Sequence, residues 1–385
     1  MRSVTILGST GSIGTQALEV VEQHSDQLRV HALVANNSVE ALVEQAKKFN
    51  PAVVAIGNKA HEKELKKVLK GLDIEVLAGR EAIVELAGSI DADMVLTAMV
   101  GFAGLEPTIS AIESGRTIAL ANKETLVVAG ELIKQLCRQH GSLILPVDSE
   151  HSAIYQCLQG EQMSAVEKIY LTASGGPFVD LPKEALREVT PEMALKHPNW
   201  NMGPKVTIDS ATMMNKGLEM IEAHHLFNVP ASAIEVVVHR QSIIHSMVGY
   251  RDGSIKAQLS YPDMRHPIAY ALLYPQRLEG GARPLLTVEQ MSHLTLEAPR
   301  RDDFPCLSLA YEAIERGGTS PCTMNAANEV AVERFLQGKI RFTDIPRIIK
   351  HTMEVAPERN ASSLAILAEA DGQARAIAQA WYEGI

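Results

Sequence analysis

The feature that most constrains the fold is a series of short, continuously apolar segments in the first 150 residues. These apolar segments are rich in β-branched side chains and lie at 4–7, 30–35, 53–56, 74–77, 94–98, 117–121 and 143–147. Amphipathic segments with helical periodicity separate them. Strands without polar alternation are buried on both faces, which is typical of a parallel sheet covered by helices. The pattern therefore predicts a doubly wound α/β domain of the Rossmann-like type.

The pattern changes after about residue 150. Strand-like segments return at 168–172, 234–239, 243–250 and 254–259, with a hairpin turn at 250–254, and helical segments follow at 307–316, 326–337, 345–355 and 364–382. A chain of 385 residues is too long for one compact core. We predict an N-terminal domain over 1–148, an α+β domain over 149–275, a linker over 276–301 and a C-terminal helical bundle over 302–385.

A glycine-rich segment, GSTGSIG at 8–14, follows the first strand and opens the first helix. Such turns let a backbone approach a dinucleotide pyrophosphate, although the spacing is GxxGxxG and a purely structural turn remains an alternative. The second strand ends in Ala35-Asn36-Asn37-Ser38, without the acid that holds the ribose hydroxyls of NAD. This favours NADP over NAD.

Two acids follow the seventh strand in the segment LPVDSEH, at Asp148 and Glu150. Strand alternation would point both carboxylates to the same side, at the sheet edge where α/β proteins bind ligands. Converging carboxylates suit a hard divalent cation. An equally acceptable interpretation is that Asp148 or Ser149 caps a helix starting near Glu150.

A third cluster, DSATMMNKGLE at 209–219, combines hydrogen-bond donors suited to a phosphate with a further acid, Glu219. The loop Ser174-Gly175-Gly176 offers backbone N–H groups for the same purpose. A capped helix with surface charges is the alternative for each segment. The adjacent His224 and His225 resemble a metal pair, but we interpret them as incidental.

Composition excludes some classes of function. The 36 basic and 46 acidic side chains give a net charge of -10, which argues against a general nucleic-acid or anionic-membrane binder. The longest apolar stretch, at 94–105, is too short to span a bilayer. Four dispersed cysteines indicate thiols in a reducing compartment. The first apolar run ends at Gly8, so we expect no secretory signal and a cytoplasmic protein, or a processed organellar form.

Taken together, these segments resemble the 1-deoxy-D-xylulose 5-phosphate reductoisomerase family. The matching motifs occur in the family's order, as LGSTGSIG (7–14), LANKE (120–124), PVDSEH (146–151), SGGPF (174–178), HPNW (197–200), DSATMMNKGLE (209–219), HSMV (245–248) and NAANE (325–329). The resemblance implies NADPH-dependent isomerisation and reduction of a small phosphorylated sugar, giving 2-C-methyl-D-erythritol 4-phosphate in non-mevalonate isoprenoid synthesis. It also implies a homodimer.

The resemblance implies roles for individual residues. The metal, Mg²⁺ or Mn²⁺, would be held by Asp148, Glu150 and Glu219. Substrate would contact Lys123, Ser149 and His245, and its phosphate would contact Ser174, Ser210, Asn215 and Lys216. A flap over 197–205 would contribute His197 and Trp200. The cofactor would contact Thr10, Gly11, Ser12, Ile13, Asn36, Asn37, Asn122 and Glu124, with Met202 and Gly203 near the nicotinamide.

Two positions depart from the family pattern. The family often has glycine, a basic residue and asparagine where this chain has Asn36-Asn37-Ser38, and HPQS where it has His239-Arg240-Gln241-Ser242. Nothing in the sequence compensates the added charge of Arg240. Two other functions remain: a semialdehyde- or homoserine-type dehydrogenase, which needs no metal triad, and a regulatory protein that senses NADP(H) without turnover.

Overall fold

The computed structural model describes residues 1–196, 200, 202–277 and 284–382. In the first part of the chain the strands are β1 (Arg2–Leu7), β2 (Leu28–Ala35), β3 (Val53–Ile56), β4 (Glu75–Ala78), β5 (Met94–Thr97), β6 (Thr117–Leu120) and β7 (Ile144–Pro146). The helices of this part are α1 (Ser12–Gln23), α2 (Val39–Phe49), α3 (Glu62–Val68), α4 (Arg80–Ala87), α5 (Leu105–Glu113), α6 (Glu124–His140) and α7 (Ser149–Cys157).

Among the described residues these strands form a seven-stranded sheet in the order β4-β3-β2-β1-β5-β6-β7. All neighbouring strands are parallel. The chain adds strands outward from β1 on one side, then returns to the other side of β1 and continues through β5 to β7. The predicted doubly wound α/β architecture is confirmed, and the strand order reverses between β1 and β5, where such sheets form a ligand crevice.

A late segment of the chain belongs to this N-terminal unit, which comprises Met1–Thr125, Ile133–Ser152 and Asp263–Ala282. Helix α11 (Arg265–Leu273), part of that segment, packs against α1. Arg265 forms an ion pair with Glu19 at 3.3 Å, and Arg2 donates to the carbonyl oxygen of Leu272 at 2.6 Å. The first strand is therefore tied to residues that follow it by most of the chain's length.

The second unit comprises Leu126–Leu132, Ala153–Pro262 and Arg283–Ile385. Its strands are β8 (Val166–Ala173), β9 (Ile234–Val238), β10 (Ile244–Tyr250) and β11 (Ile255–Leu259). Over the described residues they form a four-stranded mixed sheet in the order β11-β10-β8-β9, with β8 and β9 parallel. The predicted hairpin between β10 and β11 is confirmed, and Gly253 closes its turn at φ +86°.

The remaining helices surround that sheet or lie beyond it in the chain. They are α8 (Pro191–Ala194), α9 (Pro204–Ala211), α10 (Met214–Phe227), α12 (Val288–Met291), α13 (Cys306–Arg316), α14 (Ser320–Leu336), α15 (Ile345–Val355) and α16 (Leu364–Ala380). The predicted helical C-terminal region is confirmed. Of the helices in the described part of the chain, none combines the length and the apolar character that a bilayer span requires.

One hydrophobic core joins the strands of the second unit to its C-terminal helices. Phe342 contacts Phe178 edge-on, with ring centroids 5.4 Å apart, and Phe335 at 5.8 Å. Helix α10 lies within this core, because most of its residues are buried and it packs against α13. The domain boundaries at 148, 275 and 301 stay predictions beside this division into two units.

Candidate functional site

The glycine turn after β1 is built so closely that side chains would not fit. Gly8 has φ +90°, and a Cβ there would lie 2.6 Å from the carbonyl oxygen of Ala98, just beyond β5. A Cβ on Gly14 would lie 2.3 Å from the carbonyl oxygen of Gly8. Only glycine lets the turn approach both the end of β5 and the start of α1. The turn therefore lies at the point where the strand order reverses.

The same turn leaves the beginning of α1 accessible to an anion. Thr10 and Ile13 are half-buried, Gly11 and Ser12 are exposed, and the first turn of α1 carries no acidic side chain. A helix N-terminus with unneutralised N–H groups attracts phosphate. These residues fit a dinucleotide pyrophosphate.

The end of β2 is joined to the end of β3 by asparagines. The Asn58 amide N–H donates to the carbonyl oxygen of Asn36, and its Nδ2 donates to Oδ1 of Asn37, both at 3.0 Å. Asn36 and Asn37 are exposed. The next residue, Lys59, brings a cation to this edge, with its Nζ 3.1 Å from Glu81. Lys59 was not among the residues predicted from the sequence, because the cofactor motif pointed to the end of β2, whereas Lys59 follows β3, the parallel neighbour that ends at the same edge.

Beyond β6, Asn122 and Glu124 are buried and hydrogen-bonded. Asn122 Nδ2 donates to the carbonyl oxygens of Met99 at 2.8 Å and Gly101 at 3.1 Å, and to the Glu124 carboxylate at 3.0 Å. The two side chains fix the loop that follows β5 against the beginning of α6. They lie at the same carboxyl edge of the sheet as the glycine turn.

Lys123 and Asp148 form an ion pair at this edge, with Nζ 2.7 Å from Oδ2 and both side chains nearly buried. Burial alone would raise the pKa of Asp148, but the Lys123 ammonium and the neighbouring His151 imidazole hold that pKa well below its usual range. Asp148 is therefore an anion throughout the neutral range. A carboxylate kept ionised in a water-poor site is suited to bind a cation.

Asp148 and Glu150 are brought together by a helix start and not by strand alternation. Strand β7 ends at Pro146 and α7 begins at Ser149, so the predicted alternation is wrong. The Glu150 amide N–H donates to Oδ1 of Asp148 at 3.3 Å, as the capping interpretation expects. Nevertheless, carboxylate oxygens of the two residues lie within 4.8 Å of each other. Their all-oxygen donor set fits a hard divalent cation such as Mg²⁺ or Mn²⁺. Ser149 Oγ donates to Glu150 at 2.6 Å.

In the second unit, the Ser174 loop lies against the end of α9. Gly175 and Gly176 have φ of +86° and +70°, and a Cβ on Gly176 would lie 2.7 Å from the carbonyl oxygen of Ser210. The Gly176 amide N–H donates to Ser174 Oγ at 3.2 Å. The structure therefore brings together two of the serines for which the sequence predicted phosphate contacts.

The first two turns of α10 carry three polar side chains, and two of them donate hydrogen bonds to the third. Asn215 Nδ2 and Lys216 Nζ both donate to the carboxylate of Glu219, while Lys216 and Glu219 are almost fully buried. A buried cation and a buried anion compensate each other only when paired this closely. The cluster therefore presents a carboxylate whose charge is offset by donors on its own helix.

Asp209 anchors the preceding helix and was not predicted as a functional residue. Its carboxylate is buried, lies 2.8 Å from Lys205 Nζ and accepts from Asn328 Nδ2 at 2.8 Å. Asn328 comes from the NAANE motif on α14. The motif's resemblance was visible in sequence, but its partner was not, because 119 positions separate the two residues.

Trp200 lies near His245 of β10. The two ring centroids are 6.4 Å apart, and Trp200 is half-buried. His245 is buried, and its Nε2 lies 3.2 Å from the carbonyl oxygen of Ser260. Met202 and Gly203 precede α9, where both carbonyl oxygens accept from Thr207 Oγ1. His197, the other predicted flap residue, lies outside the described residues.

The structure compensates the charge of Arg240. Its guanidinium forms a two-pronged contact with Asp180 at 2.7 and 2.8 Å, and another with Glu297 at 2.9 and 3.0 Å. The hydrogen bonds to Glu297 and Asp180 raise the pKa of the guanidinium above its usual value, which is already high. Asp180 follows the Ser174 loop, so Arg240 joins that loop to the residues after β9.

Comparisons with known proteins agree over the whole chain. A family model described as 1-deoxy-D-xylulose 5-phosphate reductoisomerase matches residues 4–130, and models of its C-terminal domains match 144–227 and 259–377. The chain is 55% identical over 377 residues to 1-deoxy-D-xylulose 5-phosphate reductoisomerase of Bacteroides thetaiotaomicron, covering 98% of this chain and 96% of that protein. It is 52% identical to the Chlorobium phaeobacteroides protein of the same name, with both chains fully covered.

Solved structures give the same result. The Zymomonas mobilis reductoisomerase in complex with NADPH superimposes with a TM-score of 0.93 at 46% identity and covers 100% of both chains. A second reductoisomerase, in complex with NADPH, fosmidomycin and magnesium, has a TM-score of 0.94 at 41% identity, covering 99% of this chain and 98% of that one.

Proposed function

This chain belongs to the 1-deoxy-D-xylulose 5-phosphate reductoisomerase family, and from that premise we propose how its residues share the work of the reaction. The protein converts 1-deoxy-D-xylulose 5-phosphate to 2-C-methyl-D-erythritol 4-phosphate, with NADPH and a divalent metal. Family membership sets aside the two other functions, a semialdehyde-type dehydrogenase and a sensor of NADP(H). What remains to be assigned is the role of each side chain.

The metal ligands we propose are Asp148, Glu150 and Glu219. The observation that carries this assignment is the approach of the Asp148 and Glu150 carboxylates at the carboxyl edge of the parallel sheet. The low pKa of Asp148 supports it, because a metal then has no proton to displace from that carboxylate. On α10, Asn215 and Lys216 both donate to the buried Glu219 carboxylate, so its charge is paired within the helix that carries it.

For the substrate we propose that Lys123 and Ser149 contact its hydroxyl groups. Both side chains touch the proposed ligands, Lys123 through Asp148 and Ser149 through Glu150. A hydroxyl bound there would receive a hydrogen bond from the ammonium group. Lys123 would thereby position the reacting end of the substrate.

The substrate phosphate would be held by donors of the second unit: Ser174, Ser210, Asn215 and Lys216. The Ser174 loop supports this role because its two left-handed glycines lie against Ser210. Lys216 is the cation of the group, and charged donors bind phosphate most strongly. Asp209 and Arg240 act through the elements they anchor, and we assign them positioning roles.

NADPH would bind the N-terminal unit at the glycine turn. Its pyrophosphate would contact Thr10, Gly11, Ser12 and Ile13, and its adenosine end Asn36 and Asn37, while Asn122 and Glu124 flank the nicotinamide end. Lys59 is the nearest cation in sequence to the Asn58 bridge and would favour the 2′-phosphate. From the second unit we propose that Met202 and Gly203 lie beside the nicotinamide.

His197 and Trp200 would form a flap over the substrate, with His245 beneath the indole. The contact between the Trp200 and His245 rings supports this role. A closed flap excludes water, which strengthens every hydrogen bond from Lys123 and Lys216.

When bound, the metal would polarise the substrate's carbonyl and neighbouring hydroxyl, and the nicotinamide would supply hydride. The chain's own contribution is orientation. Lys216 and its neighbours hold the phosphate away from the reacting carbons, and that binding energy favours closure of the flap. Lys123 keeps Asp148 ionised and would donate a hydrogen bond to the oxygen of a substrate hydroxyl.

We also propose a cytoplasmic homodimer, with domain roles as the sequence predicts: NADPH binding over 1–148, catalysis over 149–275, a linker over 276–301 and a helical domain over 302–385. Sedimentation of the purified protein tests the assembly. A mass of twice 41.8 kDa is expected, and a monomer at assay concentrations would contradict the homodimer.

The ligand assignment is tested by metal titration. Chelator-treated protein should not oxidise NADPH with 1-deoxy-D-xylulose 5-phosphate until Mg²⁺ or Mn²⁺ is added. Asp148→Asn should raise the Mg²⁺ concentration for half-maximal activity by at least roughly tenfold. Asp252→Asn, in the β10–β11 turn, is the matched control and should leave the titration unchanged. An unchanged titration in Asp148→Asn would contradict the assignment.

A further inference from the structure

A second cluster of metal-binding side chains lies within the second unit and shares no residue with the proposed ligands. One ligand atom from each of Glu131, His224 and His225 lies within 4.8 Å of the others. The two histidines lie in the last turn of α10, and Glu131 lies on α6. From the sequence the two histidines were interpreted as an incidental pair, because they come after the helix face that carries Glu219. Glu131 is 93 positions from His224, and no motif linked the two residues.

A distortion of α6 places Glu131. Ala129 has φ -131° and ψ 24°, which interrupts the helix. The residue after it, Gly130, packs against the imidazole of His225 so closely that a Cβ would lie 2.2 Å from Cγ and Cδ2 of the ring. The ring is held against the backbone of α6, with the Glu131 carboxylate next to it. The structure therefore fixes His225, which is buried, relative to a carboxylate that is largely exposed.

The distances suit a transition metal. Nδ1 of His225 lies 3.4 Å from Oε1 of Glu131. Two ligands bound about 2.1 Å from a tetrahedral ion are about 3.4 Å apart, so one ion fits between these atoms with little movement.

His224 makes a hydrogen bond of the kind that metal-bound histidines make. Its Nδ1 lies 2.8 Å from the carbonyl oxygen of Val229. A carbonyl oxygen can only accept a hydrogen bond, so Nδ1 carries the hydrogen and, in the neutral ring, Nε2 has the lone pair that could bind a metal. Histidines that bind metals almost always donate their other N–H in this way. The two imidazoles lie edge to face, with centroids 4.7 Å apart.

We propose that Glu131, His224 and His225 form a second metal site, which binds Zn²⁺ or a similar borderline ion and not Mg²⁺. Two imidazole nitrogens and one carboxylate form the ligand set of many zinc sites, whereas Mg²⁺ prefers oxygen. The exposed side of Glu131 leaves a fourth position to water. The ion would link the distorted part of α6 to the end of α10, the helix that begins with Asn215, Lys216 and Glu219.

The test uses full-length protein, treated with chelator and then kept in saturating Mg²⁺ so that the carboxylate site is filled. Equilibrium dialysis against Zn²⁺ should find about one bound Zn²⁺ per chain, with an increase in melting temperature. Glu131→Gln and His224→Gln should each weaken Zn²⁺ binding by at least roughly tenfold, because loss of a residue that only hydrogen-bonds to a metal ligand already lowers metal affinity by that factor. Co²⁺ in place of Zn²⁺ should give visible absorption that both variants lack.

His61→Asn is the matched control, since His61 faces Glu64 at 3.6 Å and the pair belongs to none of the three-ligand groups among the described residues. It should bind Zn²⁺ as the wild type does. Glu131→Gln should retain activity in Mg²⁺, which shows that it folds. Equal Zn²⁺ binding by wild type, Glu131→Gln and His224→Gln would overturn the proposal, and so would absence of Zn²⁺ binding by the wild type in Mg²⁺.

Discussion

The two units of this protein prepare their sites by opposite means. In the N-terminal unit, the glycine turn owes its shape to missing side chains, since a Cβ on Gly8 or Gly14 would overlap backbone atoms. In the second unit, the site is a cluster of charged side chains that contact one another, with Glu219 as the common acceptor. A turn of the first kind is damaged by added atoms, whereas a cluster of the second kind is damaged by lost charge.

The largest effect should come from loss of charge at Glu219. Glu219→Gln should lower turnover by roughly three orders of magnitude, because a metal's stabilisation of transition-state charge is worth several kcal/mol. NADPH affinity, measured by calorimetry, should stay within about twofold, as expected of a residue without a cofactor role. Glu333→Gln, an exposed change on α14, is the control. If Glu219→Gln lost NADPH affinity by as large a factor as it lost turnover, the proposed division of cofactor binding and metal binding between the two units would be wrong.

Next should come an added atom at Gly14. Gly14→Ala should weaken NADPH binding by about one to two orders of magnitude, because relieving overlap with backbone typically costs about 1–3 kcal/mol. Gly372→Ala is the control, since its Cβ would meet nothing within 4 Å and α16 should become slightly more stable. If Gly14→Ala binds NADPH normally, the turn is not shaped by steric exclusion.

Lys216→Ala should act on the substrate and not on the cofactor. Its KM for 1-deoxy-D-xylulose 5-phosphate should increase by about one to two orders of magnitude, as expected for a charged hydrogen bond worth about 1.5–3 kcal/mol. Lys66→Ala, which removes an exposed ion pair on α3, should leave KM unchanged. An unaltered KM in Lys216→Ala would place the phosphate elsewhere.

The smallest effect should come from Arg240. Arg240→Ala removes two exposed ion pairs, one with Asp180 after the Ser174 loop and one with Glu297. Because both pairs are exposed, the KM should rise less than in Lys216→Ala. Added salt should reduce the difference between Arg240→Ala and wild type, because salt screens exposed charges. Steady-state kinetics at two ionic strengths provide the measurement. A difference that does not change with salt would indicate a role in packing.

The same contrast explains what the sequence could predict. The first sheet follows from its apolar runs, and the residues of the glycine turn are neighbours in sequence. Contacts made by distant residues were not accessible: Asn328 reaches Asp209, and Asp180 and Glu297 reach Arg240, from far along the chain. The convergence of the Asp148 and Glu150 carboxylates was predicted for a wrong reason, since the start of α7 and not strand alternation brings them together.

The place of α11 has a consequence for synthesis of the chain. Its residues pack against α1, and Arg2 is tied to a carbonyl 270 positions later. A ribosome adding roughly 5–20 residues per second therefore completes the parallel sheet about 6–25 s before the helix that packs against α1 has been made. During that interval the part of α1 that packs against α11 is uncovered on the nascent chain, where it can contact other chains.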